Sequence, residues 1–85
     1  MSRVLVTGGG GYLGRQVVER LAALPAGQRP EALVSHDLRF PMERQAGVHY
    51  EAQDIRAPEL ADVLKRHNID TVVHLAAIMP SGKAQ

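Results

Sequence analysis

The apolar residues of this chain come in short runs, and the period of the runs changes along the sequence. Val4, Leu5 and Val6 are continuous, which predicts a strand over residues 3–7 covered on both faces. Four glycines, Gly8 to Gly11, follow at once. Beyond them Leu13, Val17, Val18, Leu21 and Leu24 fall at helical steps, predicting a helix over 12–24 that ends at Pro25-Ala26-Gly27. A second strand is predicted over 31–36, centred on Ala32, Leu33 and Val34, with Asp37 at its C-terminal end. A loop through Pro41 leads to a third strand over 48–53, where Val48, Tyr50 and Ala52 alternate with His49, Glu51 and Gln53. Pro58 is expected to open a second helix with Leu60, Val63 and Leu64 as its apolar face and Asn68 as its C-cap. Residues 70–77 read as a fourth strand.

The order is therefore β-α-β-β-α-β, with no internal repeat and no linker. Right-handed crossovers then give a parallel sheet in spatial order 3-2-1-4 with flanking helices, one half of a doubly wound fold plus one strand. The chain has 85 residues and is 45% apolar, enough for one small domain with one core. Ten basic residues are scattered among nine acidic ones, and only Tyr12, Tyr50 and Phe40 are aromatic, so a nucleic-acid surface is not expected. There is no cysteine, which excludes a disulfide frame and a Cys-based metal site. No signal pattern precedes the glycines, and no run is long enough to span a bilayer; the expected setting is cytoplasmic.

The glycine turn carries the chemistry. Gly8, Gly11 and Gly14 fit Gly-x-x-Gly-x-x-Gly, and Gly9, Gly11 and Gly14 fit Gly-x-Gly-x-x-Gly. A strand leads into the turn and a helix leads out, the layout in which backbone N–H groups at a helix start receive a pyrophosphate. A phosphate-binding P-loop is ruled out because Arg15 and Gln16 stand where Lys and Ser or Thr are needed. Asp37 lies 23 residues past Gly14, close to the roughly 20 expected of a ribose-binding carboxylate. Its charge favours NAD, while Arg39, able to pair a 2′-phosphate, leaves NADP open. Asp54 and Ile55, at the end of the third strand, fit either an adenine contact or, for Asp54, a cap of the next helix. Leu75, Ala76 and Ala77 fit either a path for the cofactor or small core packing. The four histidines show no ligand spacing; His74 is expected in the core, and Lys65-Arg66 at a solvated helix end. No metal site and no catalytic residue are assigned.

Taken together, Thr7-Gly8-x-x-Gly11-x-x-Gly14, Asp37, Asp54-Ile55-Arg56 and Val73-His74-Leu75-Ala76-Ala77 resemble the extended short-chain dehydrogenase/reductases of the NAD-dependent epimerase/dehydratase type. The resemblance implies a Rossmann-type fold. It implies that Gly8, Gly11, Tyr12 and Leu13 hold the pyrophosphate, Asp37 the adenosine ribose, and Asp54 and Ile55 the adenine, with Leu75, Ala76 and Ala77 lining the way to the nicotinamide. The family's Tyr-x-x-x-Lys pair is absent: Tyr12 is followed four residues on by Gln16, and Tyr50 by Asp54. The expectation is therefore the dinucleotide-binding portion, over residues 1–85, of a longer hydride-transfer enzyme acting on a sugar-nucleotide-like or hydroxyl-bearing small molecule. The alternative is a stand-alone, non-catalytic nucleotide-binding module. A fourth strand left at the sheet edge would favour self-association.

Overall fold

A computed structural model describes residues 2–40, 42–54, 56 and 58–75. Six elements follow one another: β1 (Arg3–Thr7), α1 (Tyr12–Ala22), β2 (Ala32–Asp37), β3 (His49–Ala52), α2 (Leu60–Arg66) and β4 (Thr71–His74). The strands form one parallel sheet in the order β3-β2-β1-β4, the expected order.

Continuous apolar runs make the central strands because both faces are covered. On one face Val4, Val6 and Leu33 pack with Val18 of α1; on the other Leu5 and Val34 pack with Val63 of α2. Parallel strands send all their C-terminal ends to one rim, so the turn after β1 and the residues after β2, β3 and β4 gather there. Arg3 ties the opposite end. Its Nε donates to the His67 carbonyl at 2.7 Å and its N–H donates to the Asp70 carboxylate. That carboxyl is held below its usual range, first by the Thr71 hydroxyl and then by the Arg3 N–H.

The element ends differ from expectation for local reasons. Helix α1 stops at Ala22, and Pro25 instead accepts two N–H bonds in the next turn, from Gln28 and Arg29. Pro58 does not open α2: it sits in a preceding turn, and Glu59 is the N-cap without a side-chain cap bond. His67, not Asn68, is the C-cap of α2. Asn68 follows at φ 52°, and the bonds from Asn68 N–H to Lys65 and from Ile69 N–H to Leu64 close the helix in a Schellman motif. Arg66 is not merely solvated. Together with His67 it donates to Glu51 Oε2, at 2.9 and 3.0 Å. The Glu51 side chain is 19% exposed. Burial pushes its carboxyl up, but the His67 hydrogen bond and the Arg66 charge outweigh this and hold it below the usual range. Strand β4 is at the edge of the described sheet, with Val72 48% exposed. His74 is exposed there, so the expectation of a core histidine fails. The fully buried histidine is His36, in the interior strand β2.

Val63 alone supplies the fully buried contact of α2. Val63→Ala is expected to cost about 2–3 kcal/mol. Val72→Ala, at the edge, is expected to change stability by about 0.5 kcal/mol or less. Urea midpoints of the two variants check the contrast.

Candidate functional site

Helix α1 meets the end of β1 without side chains between them. A Cβ on Gly14 would collide with the Gly8 carbonyl oxygen and lie 2.8 Å from Gly9 Cα. Gly8 itself takes φ 72°, a left-handed conformation that glycine adopts without strain. The turn closes with Gly11 N–H donating to Gly8 O at 3.1 Å, and Arg15 N–H donating to Gly11 O at 2.9 Å starts the helix. Gly9 N–H donates to the His36 carbonyl, and its Cα rests on Ser35, where a Cβ would strike the hydroxyl.

Gly11 differs from these. It is exposed, its φ of −75° suits any residue, and a Cβ there would find only an ordinary contact 3.5 Å from Gly8 O. It is the N-cap of α1, contributes no side-chain cap, and the first turn holds no acidic residue. Among the described residues no side-chain anion therefore caps the opening N–H groups of α1, at the end where the helix dipole is positive. Tyr12 and Leu13 flank this opening and are 85% and 58% exposed.

Asp37 closes the neighbouring side. Its Oδ2 accepts the Gly10 N–H and its Oδ1 the Leu38 N–H, both at 2.7 Å. Each oxygen retains a second lone pair. Gln53 N–H donates to the Asp37 carbonyl at 2.8 Å, which brings the end of β3 beside it. The segment after Asp37 is shaped by Arg44, whose guanidinium lies 4.4 Å over the Phe40 ring, and by Gln45 N–H donating to the Tyr50 hydroxyl. A pocket of about 450 Å³ beside Gly9 opens between this segment and α1, lined by Arg15, Glu19, Glu43 and Arg44 among others.

Asp54 stands two residues past β3 and does not cap α2. Its carboxylate accepts the Arg56 N–H at 2.8 Å and pairs with the guanidinium through Nε at 3.1 Å and Nη2 at 3.0 Å. These bonds, led by the guanidinium, hold its pKa down to about 2. Leu75 follows β4, and its N–H is shared between Thr7 Oγ1 at 2.9 Å and Thr7 O at 3.2 Å. The structure thus brings Gly8, Gly11, Tyr12, Leu13, Asp37 and Leu75 to one rim. Ile55, Ala76 and Ala77 lie outside the described residues. Sequence reasoning missed Gly10, which binds Asp37 by its backbone, and the ties of Thr7 to β4; both join residues far apart in the chain.

The sequence matches the NAD dependent epimerase/dehydratase family over residues 4–85. The chain belongs to the NAD-dependent epimerase/dehydratase family. A nicotinamide dinucleotide is the cofactor class of that family. The chain is 34% identical over 83 residues to a dTDP-4-dehydro-6-deoxyglucose reductase of Escherichia coli, a match covering 89% of this chain and 25% of that protein. The fold resembles the X-ray structure of L-threonine dehydrogenase from Clostridium difficile, with a TM-score of 0.74 at 20% identity over 93% of this chain and 25% of that one. The chain thus spans about a quarter of the length of both relatives. The glycine turn is held largely by contacts inside the protein, and Gly11 is the glycine whose missing side chain those contacts do not require.

Gly14→Ala is expected to destabilise the fold by about 1–3 kcal/mol, since backbone must move. Gly27→Ala, with nothing within 4 Å of its Cβ, is expected to be near neutral. Thermal or urea unfolding compares them. In Arg56→Gln the Asp54 carboxyl is expected to rise from about 2 toward the ordinary value near 3.8, as read by NMR titration. The sign follows from a depressed folded pKa. The pairing supports the fold above the unfolded-state pKa and is lost as pH falls through about 2.

Proposed function

We propose that this chain is the cofactor-binding portion of an NAD-dependent enzyme that oxidises and reduces a hydroxyl-bearing carbon, of the sugar-nucleotide-like class of substrate. The observation that carries the reading is the exposed, side-chain-free opening at Gly11 on the same rim as the Asp37 carboxylate. Family membership and the reductase relative support the substrate class. In this reading Gly8, Gly11, Tyr12 and Leu13 receive the pyrophosphate at the start of α1. The Asp37 carboxylate uses its remaining lone pairs to accept the two hydroxyls of the adenosine ribose. Gly10 and Leu38 N–H hold that carboxylate in place and so limit the ordering needed on binding. Asp54 and Ile55 flank the adenine, and Arg56 holds the Asp54 carboxylate in place through its N–H and guanidinium. Leu75, Ala76 and Ala77 line the way toward the nicotinamide, which supplies the hydride acceptor or donor when bound. The acid and base that move the substrate proton belong to a part of a longer protein not represented in these 85 residues.

NAD is preferred over NADP because Asp37 repels a 2′-phosphate at the ribose it binds. Calorimetric titration is expected to show tighter binding of NAD than of NADP. Asp37→Ala is expected to weaken NAD binding about tenfold or more and to narrow the preference. Tighter binding of NADP by the parent chain would overturn the ribose assignment.

A further inference from the structure

Residues 38–48 join β2 to β3 without a helix or strand. The first part of this connection has little to hold it. Every described residue from 38 to 44 is exposed, Leu38, Phe40 and Met42 included, so core burial does not fix its course. Among the described residues, this stretch makes one hydrogen bond, from Leu38 N–H to Asp37 Oδ1 at 2.7 Å. Between it and α1 lies the cavity of about 450 Å³ rather than packed side chains.

One side chain ties the stretch down. The Arg44 guanidinium carbon lies 4.4 Å from the centre of the Phe40 ring and 5.9 Å from that of Tyr50. Two of the three aromatic residues of the chain thus share one cation. A guanidinium is planar and weakly hydrated, which suits it to the face of an aromatic ring. Among the described residues Arg44 joins no ion pair, although Glu43 adjoins it and Glu19 lines the same cavity. Tyr50 is the anchor. It belongs to β3, where it pairs with Ser35 of β2, and its hydroxyl accepts the Gln45 N–H at 2.8 Å.

We infer that Arg44 is a positioning residue: resting on Phe40 and Tyr50, it pins the segment after β2 to β3 and so holds Leu38 where its N–H fixes the Asp37 carboxylate. The effect runs from Arg44 through Phe40 and Leu38 to Asp37, and its bearing on affinity rests on the reading of Asp37 as the ribose acceptor. Without the clasp the segment takes other courses, and Leu38 N–H releases Oδ1 while Gly10 N–H still holds Oδ2. Binding must then reorder the segment, and affinity falls. A cation resting on a ring at an exposed site shifts such an equilibrium about two- to fivefold, so the effect is graded and the fold survives it.

Arg44→Gln and Phe40→Leu each remove one half of the clasp and leave Asp37 in place. In the free protein, the NMR order parameters of the Leu38 and Arg39 amides are expected to fall in Arg44→Gln, while that of Val34 in the core of β2 stays at the parent value. With NAD, calorimetry is expected to give affinity about two- to fivefold weaker in Arg44→Gln than in the parent chain. A double-mutant cycle separates positioning from direct contact. Because Arg44 acts through Phe40, Arg44→Gln is expected to cost nothing further in a Phe40→Leu background. The same loss in both backgrounds means that the guanidinium meets the cofactor itself, and overturns the inference. Parent-like order at Leu38 and Arg39 in Arg44→Gln, or parent-like NAD affinity, overturns it as well. Absence of NAD binding by the parent chain overturns the dinucleotide reading and the affinity claim with it, while the order parameters still decide whether Arg44 fixes the segment.

Discussion

Helix α1 and strand β1 approach one another backbone to backbone at Gly14 and Gly8, and the rest of the rim depends on that approach. A single methyl group at Gly14 would occupy the space of the Gly8 carbonyl. Because the helix starts so close to the strand, its first turn sits directly against the end of β1. Gly9 completes the seating by lying on Ser35 of β2 and bonding the His36 carbonyl. The turn is thereby held to both central strands, and its position does not require a ligand.

The same seating organises the charged and polar groups around it. Asp37 ends β2 beside the turn, and Gly10 offers it an N–H at 2.7 Å. Thr7 ends β1 below the turn and gathers Leu75 and His74 from β4. The bond from Gly10 N–H to the Asp37 carboxylate is charge-assisted and contributes about 1.5–3 kcal/mol, whereas the bond from Leu75 N–H to the Thr7 hydroxyl is neutral and contributes about 0.5–1.5 kcal/mol. The two core clusters hold the sheet and helices together, whereas these ties fix the rim. Fold and site are in this sense stabilised by different residues, and a substitution can injure one while sparing the other.

Much of this was legible in the sequence because it depends on local period. Val4-Leu5-Val6 reads as a buried strand and is so, Ala32-Leu33-Val34 reads as a strand and lies in β2, and Leu13 to Leu24 read as a helix, though α1 stops at Ala22. The strand order followed from the order of elements and the handedness of crossovers. Three things were not legible. His74 looked like a core residue because its neighbours are apolar, but β4 lies at the edge of the described sheet. The preference of proline for a first turn points to a helix opening at Pro58, yet Glu59 is the N-cap and its carbonyl accepts the first helical bond, from Val63 N–H. The ties of Asp37 to Gly10 and of Glu51 to Arg66 and His67 arise from register between distant segments, which a single sequence does not display.

On the proposed function, Gly11 is glycine for the sake of a ligand and the other turn glycines for the sake of the fold. The most direct measurement is a pair on Gly11→Ala: the urea midpoint and NAD affinity by calorimetry. The expected result is stability within about 1 kcal/mol of the parent, the range of an N-cap change, together with a loss of NAD affinity of about tenfold or more. Undiminished NAD binding by Gly11→Ala, or a collapse of its stability to the level of Gly14→Ala, would contradict it.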